Sequence, residues 1–249
     1  MKKIILFFIL LFSVVLIKGQ TSITNSTELV NALSGTLNAG THYIIDPGVY
    51  TIPSQTYINA NGTEANPVIF EGSEGTIITN NGTSGYALRV LTGDYLIFKN
   101  IIFDGAQDGS PSGMEHLRFE NFDNVQVINC KFLNNTNHGF GFWMGNHALI
   151  DSVEVGYCIN HDGNAFIDAH GIINYKGRNI VVKNTNIHHV SGDAIQTGSN
   201  SLDYVLSEGD AGHWDSLFID SSEFWTGPIG EPAATWYNLP DTIVPGENG

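Results

Sequence analysis

Basic residues are scarce in this 249-residue chain: Lys and Arg number 10 against 25 Asp and Glu, a net charge of −15. That balance argues against nucleic acid and anionic membrane as partners, since both need clustered cations. Cysteine is nearly absent, with only Cys130 and Cys158, so at most one internal bridge can form. No long apolar run occurs after residue 17. The one run present, Ile4 to Ile17, follows Met1-Lys2-Lys3 and gives way to Lys18-Gly19-Gln20. A charged start, a short greasy middle and a small residue at the cut describe a secretory signal over residues 1–19, too short for a membrane span with these flanks. Losing Lys2, Lys3 and Lys18 with it takes the net charge from −15 to −18. The expected product is secreted, extracellular or periplasmic, with no membrane attachment after signal removal.

What the chain does contain is a repeat. An alternating apolar phrase recurs at Val68, Leu96, Val125, Val153, Ile180 and Leu217, in steps of 28, 29, 28, 27 and 37. A period of this size means stacked like units, and the β-branched alternation within each means strands. Stacked coils then pair in parallel about 4.8 Å apart. The position four past each anchor holds Asn100, Asn129 and Asn184, with Tyr157 and Ser221 as variants. Asparagine tolerates left-handed backbone at a turn and can bond its counterpart one coil away. The expected fold is an all-β, single-stranded parallel β-helix.

Residues 20–60 read as the N-terminal cap and first strands, and 61–249 as the coils. Within the cap, Asn25 and Glu28 resemble a capping box, and Leu29, Ala32 and Leu33 share one helical face. A short helix there covers the open end of the stack. At the other end the chain stops at Gly249 with no capping element in the sequence, so the solenoid is expected to be truncated at its C-terminus. Cys130 and Cys158 lie 28 residues apart, at nearly one phase of consecutive coils. A disulfide and a column of two buried thiols both fit that placement.

A resemblance accompanies the helix, Gly48-Val49-Tyr50, Asn61-Gly62-Thr63 with Asn66-Pro67-Val68, and Gly72-Ser73-Glu74-Gly75. In that order, over roughly residues 26 to 105, they resemble the entry of secreted pectate-lyase-like right-handed β-helix proteins. Among these the likeness is to the alginate lyase and chondroitinase B family of polysaccharide lyases. The resemblance implies β-elimination of an acidic glycan (alginate, pectate or glycosaminoglycan type) with Ca²⁺ help. Gly246-Glu247-Asn248-Gly249 resembles the opening of that family's calcium and lysine-base segment, which makes Glu247 and Asn248 metal-side residues. The lysine that follows in the family is absent here.

Such chemistry needs a neutralised substrate carboxylate, a base and a donor to the leaving oxygen. The richest column precedes the strands of the middle coils. Registering Phe140, Phe166 and Ile195 as equivalent stacks His138, Asn164 and Asp193, then Gly141, Ile167 and Gln196, then Trp143, Ala169 and Gly198. His138, His161, Asp168, His170 and Asp193 are the catalytic candidates, Asp162 a metal candidate, and Gln196 and Trp143 substrate contacts. The phrase Ser191 to Gln196 resembles a Gly-Asp-Gly-Ile-Gln signature of carbohydrate-active β-helices. Arg89 and Arg118 each fall seven residues before an anchor, so they stack; a substrate carboxylate or a neighbouring Glu120 or Asp94 must then separate the charges. A glycoside hydrolase using Asp162, Asp168 and Asp193, and a non-catalytic glycan-binding or adhesion protein, are the alternatives.

Overall fold

A computed structural model describes residues 20–53, 55–80, 85–105, 114–161, 166–197 and 217–225. These form a parallel β-helix: two large parallel sheets of 13 and 7 strands, one short antiparallel pair, and one helix. Each coil contributes three short faces. The first includes Thr56–Asn61, Gly85–Asp94 and Ile172–Asn174. The second includes Val68–Gly72, Leu96–Lys99 and Leu217–Asp220. The third includes Thr76–Asn80, Lys131–Asn135 and Asn186–Val190. Strands Met114–Ile128 and Phe140–Asp151 run across the first two faces, which is why those belong to one bent sheet.

Corners are made by non-glycine residues in left-handed backbone, and they too line up in columns. Tyr95, Asn124, His147 and Asn179 turn the chain from the first face to the second; Asn100, Asn129, Ser152, Asn184 and Ser221 turn it from the second to the third. A further left-handed column, Asn134, Tyr157 and His189, lies within the third face. The expected bond between counterpart asparagines exists from Asn129 Nδ2 to Asn100 Oδ1 at 2.8 Å, whereas Asn184 Nδ2 donates to Asp151 Oδ1 at 2.9 Å, beside its counterpart Ser152, and Tyr157 lies off this column.

Alternate residues point inward and stack in kind. Tyr43, Phe70 and Phe98 lie on successive rungs at 5.2 and 5.4 Å, while Phe103 and Phe132 stack at 4.8 Å. Helix Ser26–Leu33 closes one end, burying Leu29, Ala32 and Leu33 as its pattern required. Asn25 accepts from the Glu28 N–H, satisfying one helix-end donor, and Glu28 reaches back past the cap to the Thr24 N–H at 2.7 Å. No helix among the described residues is long and apolar enough to cross a membrane.

The register corrects one anchor. Val125 pairs with Ala148, and Ala148 with Ile180, so the middle copy of the second-face phrase is Ala148-Leu149-Ile150. Val153 instead leads into the third-face strand Glu154–Cys158. Both faces demand the same apolar alternation, so one phrase can be mistaken for the other. The shared column of the two cysteines falls with it, while their reading as buried thiols holds. Cys158 pairs with Asn135 and Val190, away from the rung position of Cys130, and both are buried free thiols. Burial pushes each thiol up to about 12.

Candidate functional site

The register also corrects the column behind the catalytic candidates. Phe140 pairs with Ile172, not Phe166, and Ile172 with Ile195. Asn160–His161 and Phe166–Ile167 instead form a separate antiparallel pair. Accordingly His170 replaces Asn164 in the stack, Ile173 replaces Ile167, and Tyr175 replaces Ala169.

What results is a histidine ladder at the entrance to the first face. The rings of His138 and His170 stack at 5.0 Å. His138 Nδ1 accepts the His170 backbone N–H at 3.1 Å, and His170 Nδ1 accepts that of Asp193 at 2.8 Å. Each imidazole therefore satisfies a loop amide one coil away. Burial lowers both rings, His138 to about 4, and the charge of His170 adds to that lowering. Neutral rings whose Nδ1 accepts carry their proton on Nε2, which is then each ring's donor. The Asp193 carboxylate is 69% exposed, 3.9 Å from His170 Nδ1. Asp168 is exposed; the His161 side chain and Asp162 lie outside the described residues, as do Glu247 and Asn248.

Arg89 and Arg118 do stack, in paired register on the first face. The column runs Tyr57, Arg89, Arg118, Gly141, Ile173 and Gln196. Of the two carboxylates expected as separators, Glu120 fills the role: its Oε1 accepts from Arg89 Nε at 2.7 Å and lies 4.0 Å from Arg118 NH1. Asp94 turns instead to the corner, paired with Asp123. The Arg118 guanidinium is held between two rings, 3.6 Å from the Tyr86 centroid and 3.1 Å from that of Trp143, while Tyr175 packs on Trp143 at 4.2 Å. Arg89 is the more open of the pair, with its side chain 32% exposed beside Tyr57.

Sequence reasoning missed Glu115, Tyr86, Tyr57 and Tyr175. Glu115 is fully buried; its Oε2 accepts from Arg118 Nε at 3.1 Å and NH2 at 2.8 Å. Burial is the largest influence on its carboxyl and pushes it up to about 7, against the pull of Arg118. Tyr86 and Glu115 precede Arg89 and Arg118 by three residues each, so carrying the arginine register back three places would have found them.

No protein-family model matches the chain, and no curated protein does either. Among solved structures, a "putative glycosyl hydrolase" from Parabacteroides merdae aligns over 81% of this chain and 91% of its own, with a TM-score of 0.54 and 12% identity. The likeness is one of fold. A PL6 family polysaccharide lyase from Pseudopedobacter saltans aligns over 72% of this chain and 52% of its own, with a TM-score of 0.45 and 14% identity.

The donor set on the first face does not fit a calcium ion, because Glu115 and Glu120 are both engaged by guanidinium groups. Among the described residues no group of three or more His, Cys, Asp or Glu is placed to hold a metal. The calcium expectation thus rests on Asp162, Glu247 and Asn248 alone.

Proposed function

We propose that the protein is a secreted carbohydrate-active β-helix protein that binds an acidic polysaccharide on its first face and cleaves it by β-elimination. One observation carries the reading: two arginines on adjacent rungs, set among Tyr57, Tyr86, Trp143 and Tyr175. Guanidinium groups suit sugar carboxylates, and aromatic faces suit sugar rings. The shared fold with a protein described as a putative glycosyl hydrolase agrees with a carbohydrate substrate.

In this reading Arg89 neutralises a uronate carboxylate and so acidifies the neighbouring C–H. His138, with its proton on Nε2, donates to the leaving oxygen. Proton abstraction stays with the sequence candidates His161 and Asp168, and Ca²⁺ bridging with Asp162, Glu247 and Asn248. Incubation of the full chain with alginate, polygalacturonate and chondroitin sulfate is expected to release unsaturated, ultraviolet-absorbing ends, and Arg89→Ala to lower the rate roughly tenfold or more, the loss of about one charge-assisted contact. Loss of activity in EDTA would assign the calcium role.

Hydrolysis is the second reading, favoured by the burial that raises the Glu115 carboxyl toward neutrality while Glu120 stays paired with arginine. New reducing ends without ultraviolet absorbance would select it. Binding without either product would leave a glycan-binding protein.

A further inference from the structure

Glu115 is a buried ionisable group with no part in the β-elimination reading. Its two oxygens are treated unequally. Oε2 takes both bonds from Arg118, while Oε1 is buried with no hydrogen-bond partner among the described residues. Oε1 faces Gly141 on the next rung, where a Cβ would stand 2.6 Å from it and 2.4 Å from Ile173 Cγ2. Gly141 is therefore the position that lets this carboxyl lie across the outer column. An ionised carboxylate with one bare oxygen out of water is costly, and a neutral carboxyl much less so; Arg118 pulls the other way. The balance between the two is fine.

We propose that Glu115 is a positioning residue that sets the charge of the proposed glycan site by gaining or losing one proton. With Glu115 neutral, Arg89, Arg118 and Glu120 leave one positive charge in this cluster. With Glu115 ionised they leave none. Among the described residues the surrounding groups are few: Arg118, Glu120 and inward-facing His116 on its own strand, Tyr86 and Arg89 on Gly85–Asp94, and His138, the counterpart of Glu115 on the next rung, close enough to feel Arg118. Tyr86 and His138 are neutral across the working range, Tyr86 raised by burial and His138 lowered by it. Among these described groups, Glu115 is the one poised to change.

Because binding and protonation are linked, an anionic ligand must favour the protonated form, and protonation must favour the ligand. The inference rests on the acidic-glycan reading, and its test separates the two. The Glu115 carboxyl is followed by ¹³C NMR in the full chain, and binding of alginate, polygalacturonate and chondroitin sulfate oligosaccharides is measured by calorimetry from pH 5 to 9 in buffers of different ionisation enthalpy. The expected result is a Glu115 midpoint near 7, proton uptake on binding, and affinity falling roughly tenfold across that midpoint as one charge is lost. Glu115→Gln, an isostere fixed in the neutral state, is expected to bind with pH-independent affinity and no proton uptake. Circular dichroism checks that this variant is folded, and Glu115→Asp serves as a second variant, retaining a proton but shortening the reach to Arg118. A carboxyl that does not titrate between pH 5 and 9, or one that titrates while affinity stays flat, overturns the inference and leaves the glycan reading intact. Absence of binding to every oligosaccharide at every pH overturns both.

Discussion

At the scale of single residues, most of the architecture is carried by side chains that tolerate left-handed backbone. Asn129 combines a φ of 49° with the bond to Asn100. Asn129→Val forces a β-branched residue into that conformation and deletes the bond, which is expected to lower stability by about 2–3 kcal/mol. Asn129→Gly keeps the backbone freedom and should lose only about 1 kcal/mol; urea unfolding of both variants gives the comparison. The cysteines make a second residue-scale test. Both thiols of unreduced protein are expected to react with an alkylating reagent once the chain is unfolded, and reductant should leave Tm unchanged. Retention of a mass consistent with one bridge would contradict the register that separates Cys130 from Cys158.

Rungs and corners behave as units at the scale of elements, and their titration follows. Burial lowers His116, His138 and His189 to about 4, and His170 below its ordinary range. In the unfolded chain these rings protonate near about 6.5. Their contribution to stability is therefore complete above about pH 6.5 and is lost as pH falls toward 4. Glu115 has the opposite sign: raised to about 7, it contributes fully below the unfolded carboxyl value and loses that contribution as pH rises. Tm is expected to drop from pH 6.5 to 4.5, and to drop more steeply in Glu115→Gln, which lacks the offset. On the third face Glu154, bonded to His188 and Lys131, is held down to about 2 and adds acid sensitivity below pH 4.5. Elements also explain where reading by period slipped. The loops that return each coil to the first face differ in length, so equal spacing from Cys130 to Cys158 did not mean equal position.

Taken whole, the molecule is a stack in which each coil touches chiefly its neighbours, so stability sums over adjacent interfaces. Phe132, fully buried between Phe103 at 4.8 Å and Phe140 at 4.4 Å, sits where two rungs and two faces meet. Phe132→Ala is expected to destabilise by about 3–5 kcal/mol, read as a shifted denaturation midpoint with an unchanged slope unless the stack melts in parts. The alternating pattern, the Asn corners and the capping helix were legible in sequence because each is a local requirement, repeated until it stands out. Arg89 over Arg118 was legible for the same reason, being measured from well-placed anchors. The buried Glu115, the Tyr86–Arg118–Trp143 sandwich and the substitution of His170 for Asn164 were not. They depend on how many residues each loop absorbs before the chain rejoins the sheet, and on side chains reaching diagonally between rungs. Residue order alone determined that the chain would wind into stacked parallel strands, since apolar alternation and turn chemistry act within a few bonds. Which polar groups met, and which lost their water, was decided only when the coils closed, because burial and charge pairing are properties of neighbours in space.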